Sequence, residues 1–489
     1  MAAQRLTALH AITGTARLPA YVPTDHGVGI VHLGLGAFHR AHQAVATDDA
    51  LAAKGGDWRI IPVSLRSREA GAALNPQNGL YTLIERGSDG TSGRIIGSLT
   101  DAIAADPAAT LKALCNPAVR IVTLTVTEKG YGIDRDTLGP DWNNEAVAAD
   151  RKNPDAPIGV LGLLTAAIKA RRGAGLVPLT ILSCDNLPEN GALLRSGVVG
   201  FARALDEELA DFIEREISFP SSMVDRITPA ATAETLADAE RLTGLSDLAA
   251  IETEAFTQWV IEDRFPHGRP HWEAGGAIFV DEVAPYERMK LTMLNGTHSM
   301  LAYAGFMSGH AHVRDVMGDP MLATLVKRHL QTAALDVGEL PGIDLSAYAE
   351  DLARRFTNPA IAHATYQIAM DGTEKLPQRI FAPALVALRA GRDLRAYAFA
   401  TAAWMRYALG TDDAGNAYAL RDPKEEAIAA NLADAGRDAA RIVTALSSLP
   451  GFLPPELSGS EQWRAAVESR LGVMLEYGMR EAVQREVAE

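Results

Sequence analysis

The chain predicts an α/β fold: a parallel, doubly wound sheet in its first part and a mostly α-helical domain after it. Three observations carry this. Short apolar, β-branched runs alternate with helical patterns up to about residue 284, which is the texture of βαβ units. The first such run closes on "GLGAFH", Gly34 to His39, a Gly-x-Gly turn that opens a helix. Beyond residue 285 strand patterns become scarce and helical stretches follow one another. A chain of 489 residues has room for two or three domains of ordinary size. The predicted division is 1–284 and 285–489.

Taken in order, "GIVHL" from Gly29 is a strand, and the Ala-rich stretch after the glycine turn is a helix that ends near Gly55. "WRIIPVSL" is the second strand, 58–65, so a β-α-β unit opens the fold. "NGLYTLIERG" and "SGRIIGSL" read as further strands, a hairpin or an excursion. "TLKALCNPAV" reads as helix and turn. "RIVTLTVTEKGY" is crowded with β-branched residues, a strand ending near Thr127 or Glu128. "PIGVLGLLTAAIKARRGAG" is a helix with a glycine stop, and "LVPLTILSCDN" a buried strand ending at Asp185 and Asn186. Residues 191–217 predict one long amphipathic helix. In the second part helices are expected over 289–306, 322–335, 345–356, 381–390, 394–409, 424–431, 439–446 and 461–476.

Composition narrows the function. A net charge of -15 argues against a nucleic-acid binder, whose footprint is basic. Two cysteines, Cys115 and Cys184, make no disulfide framework and no four-ligand zinc site, and they fit a reducing cytoplasm. The N-terminal stretch lacks the apolar core of a signal peptide, and no apolar run is long enough to span a membrane. The expectation is a cytoplasmic protein, a monomer or weak oligomer, acting on a small molecule.

A doubly wound sheet presents ligands at the carboxyl ends of its strands. Gly34, Gly36, Thr127, Glu128 and Asn186 all fall at such ends. Gly34 allows the tight turn, and Gly36 lets backbone approach a pyrophosphate at the start of the helix that begins Ala37-Phe38. His39 stands where the usual third glycine would be. The end of the second strand chooses the cofactor: Glu69 suits the ribose diol of NAD, whereas Arg66 and Arg68 suit the phosphate of NADP. NAD is the expected cofactor, with NADP left open.

Three histidine groups invite a metal reading: His39 with His42, His267 and His271 with Glu273, and His310 with His312. A zinc pair on a helix prefers i,i+4 spacing. The first pair is i,i+3, and Pro270 interrupts the second group. Ordinary surface or core histidines are the better reading, and no metal is expected. Cys184 has no basic neighbour in sequence and reads as a core cysteine.

The chemistry is carried by "MKLTMLNGTHSM", 289–300. On a regular α-helix Asn295 lies about 140° round from Lys290, His298 about 80° and Glu287 about 60°, so all project into one broad sector. An amine, a carboxamide and an imidazole on one face can do alcohol chemistry: the amine takes a proton, the amide donates to an oxygen, and the imidazole orients the substrate. The apolar flank predicts burial, which disfavours the charged form of an amine. This helix would open the second domain and face the cleft between domains, a common place for ligands.

From "GLGAFHRAHQA" through "LTVTEKGY", "SCDNLPENG", "FPSSMVDRITPA", "QWVIEDRF" and "GRPHWE" to "MKLTMLNGTH" and "IAMDGTEKLPQR", the chain resembles the mannitol dehydrogenase family, the long-chain, metal-independent polyol and hexuronate dehydrogenases. The resemblance implies a Rossmann-type first domain, a helical second domain and hydride transfer without zinc. It implies Lys290 as general base, Asn186 and Asn295 as the oxyanion site, and His298 as the residue that orients substrate. Asp225 and Glu287 match family acids near the active site, with Glu287 passing the proton to solvent. Glu128 would lie near the nicotinamide. "SLRSREAGAALNPQNGLYTL", "NGTHSMLAYAG" and "DGTEKLPQR" look more like fructuronate reductases than mannitol 2-dehydrogenases. A hexuronate carboxylate wants Arg or Lys, and Lys375 and Arg379 could supply that charge. D-fructuronate/D-mannonate is therefore the first expectation, D-mannitol/D-fructose or another polyol such as arabinitol the second. A cofactor-binding sensor without turnover is the remote third, since a sensor needs no base.

Overall fold

The computed structural model describes residues 4–87, 90–359 and 363–489, with the backbone alone at Glu128. The chain divides into two compact units, Met1–Ala284 and Pro285–Glu489. The strands are β1 Val28–Leu33, β2 Arg59–Ser64, β3 Tyr81–Gly87, β4 Gly90–Ile96, β5 Ile103–Ala104, β6 Ile121–Leu124, β7 Thr180–Ser183, β8 Ser222–Asp225, β9 Ile251–Glu254, β10 Gln258–Glu262 and β11 Ala277–Val280, all in the first unit.

The central sheet runs β5-β2-β1-β6-β7 with every pairing parallel. From β1 the chain winds outward through β2 to β5, then returns to β6 on the other side. The topological switch thus lies between β1 and β6, where ligands enter such sheets. Both faces are covered, because side chains alternate along each strand. Val31, Leu33, Val122, Leu124 and Ile181 pack under the helices Val160–Gly173, Asn190–Arg203 and Glu207–Glu216. Ile30, Ile60, Ile121 and Leu182 pack on the other face with the helix Gln43–Lys54. Each such side chain contributes about 1.5–3 kcal/mol, which is why these strands are apolar on both faces.

Three local expectations differ from what is observed. The helix after the glycine turn is two, Ala37–Ala41 and Gln43–Lys54, because His42 takes φ -122, ψ -85 and turns its ring to the carbonyl of Gln258 at 3.1 Å. The long helix over 191–217 is also two, Asn190–Arg203 and Glu207–Glu216; Asp206 caps the second by accepting from Leu209 N–H at 3.1 Å. β6 stops at Leu124 rather than near Thr127, since the next free N–H groups, those of Val126 and Thr127, go to the Asp185 carboxylate instead of a ladder. The expected hairpin or excursion is both: β3 and β4 pair antiparallel and with β9 make a separate three-stranded sheet. A further sheet, β11-β10-β8, was not anticipated from the residues.

Among the described residues the second unit holds helices and no named strand. Its helices include Pro320–Val337, Leu345–Phe356, Ala382–Arg389, Arg395–Tyr407, Glu425–Leu432, Ala439–Ser447 and Glu461–Tyr477, with a last helix Met479–Ala488 beyond those expected. Among the described residues no helix is long and apolar enough to cross a membrane.

Candidate active site

In the first unit the candidate cofactor residues are built on the glycine turn. Gly34 has φ +107, and an added Cβ would stand 2.1 Å from the Thr125 carbonyl oxygen. Its N–H donates to Val63 O at 2.9 Å and its carbonyl accepts from Thr125 Oγ1 at 2.9 Å. Gly34 therefore seals the turn against both neighbouring strands. Gly36 differs: an added Cβ would meet only Gly34 O, at 3.8 Å. The space over Gly36 is open at the N-terminus of the helix that starts with Ala37 and Phe38, the cradle a pyrophosphate needs.

At the third-glycine position His39 is fully buried and stacks on His32 of β1 with ring centroids 3.4 Å apart. Two stacked imidazoles thus make the close helix–strand contact that glycine usually allows. Burial holds His32 down at about 3 and lowers His39 well below its ordinary value, so both are neutral spacers. Arg66 and Glu69 are exposed just past β2, where the Ser64 hydroxyl donates to Ser67 O at 2.6 Å.

The loop after β6 carries Thr127 at φ 68, ψ 160. That region is close to glycine-only and costs a β-branched residue about 1–3 kcal/mol. Its neighbour Glu128 begins the short helix Glu128–Tyr131; the side chain of Glu128 lies outside the described residues. Asn186 is exposed, three residues past the end of β7. Asp225 closes β8 and is 5% exposed.

Sequence reasoning passed over Asp185, although it stands beside Asn186. Its carboxylate accepts from Val126 N–H at 2.9 Å, Thr127 N–H at 3.2 Å and Tyr131 Oη at 2.7 Å. Burial raises its pKa above the usual carboxylate value, and the three donors hold that rise back.

In the second unit the segment expected to carry the chemistry is not one α-helix. Ala284–Met289 and Thr297–Met307 are α-helical, but Lys290–Gly296 is a π-turn. Its i→i+5 bonding stacks a residue over the fifth one on. Lys290 and Asn295 are five apart, so the wider turn brings them closer in azimuth than the α-helical separation. Lys290 is buried at 7% exposure, while Asn295, Glu287 and His298 are partly exposed.

His298 sits against Phe356, ring centroids 4.5 Å apart, and edge-on to His363 at 5.6 Å. Burial pushes its pKa well below the ordinary value, and His363, Arg355 and Arg379 push the same way. The imidazole is neutral at pH 7 and suited to orienting a hydroxyl.

A second π-turn, Pro377–Phe381, carries Arg379. The two turns touch at Gly296, where an added Cβ would lie 2.7 Å from the Arg379 carbonyl oxygen. Only a residue without a side chain admits that contact. Gly296→Ala is expected to cost about 1–3 kcal/mol of stability, read as a lowered Tm, with a parallel loss of activity because Arg379 and the catalytic turn are pushed apart. The Arg379 guanidinium donates to Ser299 Oγ at 3.3 Å. No carboxylate among the described residues pairs with it, and burial lowers its pKa. Lys375 differs: its ammonium is taken up by Met370 O at 2.6 Å and Asp371 at 3.4 Å.

The histidines read as ordinary have ordinary partners. His271 lies 3.3 Å from Glu273 and His312 3.1 Å from Asp315. Cys184 is fully buried, and desolvation raises its thiol pKa.

The first unit offers an open cradle over a Gly-x-Gly turn at a sheet's switch point, and the second carries an amine and an amide on a π-turn with an imidazole on the helix that follows; together these functional groups are those of a dinucleotide-dependent oxidoreductase. Two family models match the chain, the mannitol dehydrogenase Rossmann domain over 28–274 and the mannitol dehydrogenase C-terminal domain over 282–453. The chain belongs to the mannitol dehydrogenase family. It is 42% identical to the D-mannonate oxidoreductase of Escherichia coli (strain K12), over 93% of this chain and 94% of that one. It is 40% identical to a mannitol 2-dehydrogenase of Pyrenophora tritici-repentis (strain Pt-1C-BFP), over 84% of this chain and 75% of that one. Among solved structures, it is similar to Pseudomonas fluorescens mannitol 2-dehydrogenase in ternary complex with NAD and D-mannitol, with TM-score 0.81 and 35% identity over 99% of this chain and 100% of that one.

Proposed function

We propose that this oxidoreductase interconverts D-fructuronate and D-mannonate, with NAD as its cofactor. The observation that carries the substrate is Arg379. A half-buried cation with no carboxylate partner among the described residues is costly to keep, and a substrate carboxylate would repay that cost. Arg379 bonds Ser299, the residue after His298, and its charge acts on the His298 ring. The carboxylate site is thus within electrostatic reach of the substrate-orienting imidazole. Lys375, engaged inside its own turn, adds positive potential rather than a direct contact.

Bound NAD supplies the hydride acceptor. The open backbone at Gly36 and the helix start at Ala37 and Phe38 would hold its pyrophosphate, while Glu69 would take the ribose diol with Arg66 beside it. Thr127 and Glu128 would serve the nicotinamide end. In the oxidation direction neutral Lys290 accepts the proton of the reacting hydroxyl. Asn186 and Asn295 donate to the developing alkoxide, in place of a metal; one preorganised donor of this kind is worth about 3 kcal/mol. His298 orients the substrate through a neighbouring hydroxyl. Glu287, three residues before Lys290, passes the proton on to solvent, and Asp225 supports the site as a buried acid.

The second reading, D-mannitol to D-fructose, is favoured by the likeness to mannitol 2-dehydrogenases at nearly the same identity. A panel of fructuronate, tagaturonate, fructose and xylulose, each with NADH and NADPH, separates the two. Fructuronate is expected to give the highest kcat/KM with NADH. A preference for fructose over both uronates would overturn the uronate assignment and favour mannitol.

A further inference from the structure

Two loops leave the sheet beside its switch point. One follows β6 and carries Thr127 and Glu128; the other follows β7 and carries Asn186. A single carboxylate joins them. Asp185, adjacent to Asn186 in the β7 loop, accepts the N–H groups of Val126 and Thr127 from the β6 loop, and Tyr131 Oη from the short helix beyond. Tyr131 Oη also lies 2.6 Å from Ser183 Oγ at the end of β7. On its backbone side Asp185 is anchored as well: Asn190 Nδ2 donates to Asp185 O at 2.9 Å and to Ser222 O at 2.7 Å.

The hold falls where the chain most needs it. Thr127 keeps a backbone conformation close to glycine-only. Such a conformation persists only where surrounding bonds over-determine it, and the N–H bonded to Asp185 is that of Thr127 itself. Without the carboxylate, Val126 and Thr127 would lose the acceptor of their N–H groups, leaving the bond from Gly130 N–H to Thr127 O and those of Thr125 to hold the loop.

We propose that Asp185 is a positioning residue for hydride transfer: its carboxylate holds the Thr127–Glu128 loop in register with Asn186, so that the nicotinamide side and the oxyanion side of the reaction are set by one group. Asp185 touches neither substrate nor cofactor in this role. An error of about 1 Å in such a register can cost about 100-fold in rate. The proposal rests on the oxidoreductase reading of the first unit, and it is independent of which sugar is turned over.

Asp185→Asn keeps the shape but replaces one acceptor oxygen with a donor facing an N–H. The variant is expected to fold, to bind NADH within about threefold of wild type, and to lose about 10- to 100-fold in kcat. The primary deuterium isotope effect on kcat should rise, because hydride transfer becomes slower than product release. Amide exchange over 126–131 should quicken in the NADH-bound state. Unchanged kcat, unchanged exchange, or a fall in kcat matched by equal losses of NADH affinity and Tm would each overturn the proposal. Tyr131→Phe, which removes one donor to the same carboxylate, should show the same pattern more weakly and carries the test if Asp185→Asn does not fold. A wild-type enzyme inactive on every sugar of the panel would count against the substrate assignment alone; NADH affinity and amide exchange would still decide the role of Asp185.

Discussion

Lys290→Ala is expected to lower kcat by about 100- to 10,000-fold, the usual worth of a positioned general base, while NADH affinity stays close to wild type. The amine is the group on the π-turn able to accept the hydroxyl proton, and it is buried, away from bulk water that could substitute for it. Lys290→Arg should do no better than Ala. A guanidinium keeps the positive charge but does not give up its proton near neutral pH. Stopped-flow hydride transfer and fluorescence titration of NADH separate the two quantities. A loss of NADH binding equal to the loss of kcat would make Lys290 a structural residue of its turn.

The second large effect is expected at Arg379. Arg379→Gln should lower kcat/KM for fructuronate by about 10- to 100-fold, the worth of one charge-assisted pair of about 1.5–3 kcal/mol. Residual turnover of fructose, which has no carboxylate, should change far less. Glutamine can still donate to Ser299 Oγ, so the contact seen at 3.3 Å need not be lost with the charge. Equal losses on fructuronate and fructose would mean that Arg379 braces the two π-turns and does not read the carboxylate. The comparison must be made on kcat/KM, since the missing interaction weakens substrate and transition state together.

Much of this was legible in the residues. The alternation of strand and helix, the Gly-x-Gly turn and the shift to helix near residue 285 are local signals, and each corresponds to an observed element. The places where local reading failed share a cause. β6 looked longer than it is because Thr123, Thr125 and Thr127 are good strand residues, yet an acid 58 residues away takes the N–H of Thr127. The helix after the glycine turn looked continuous because Ala-rich sequence favours it, yet His42 turns to a carbonyl on β10. Periodicity carries no information about a partner that arrives from another strand.

The segment 289–300 shows the same limit more sharply. An α-helical wheel already gathers Lys290, Asn295 and His298 into one sector, which is what suggested the chemistry. The π-turn over Lys290–Gly296 could not be foreseen, because nothing in "KLTMLNG" announces a wider turn.

By itself, then, the order of residues determined the class of fold, the place of the Gly-x-Gly turn and the family of oxidoreductase, because propensity, glycine geometry and side-chain chemistry act over a few neighbours. Tertiary structure alone decided that Arg379 bonds Ser299 and pairs with no carboxylate among the described residues, that Gly296 admits a second π-turn, and that Asp185 bonds the Thr127 loop. Each of those depends on which groups far apart in the chain come within hydrogen-bonding reach, and that is set by how the elements pack.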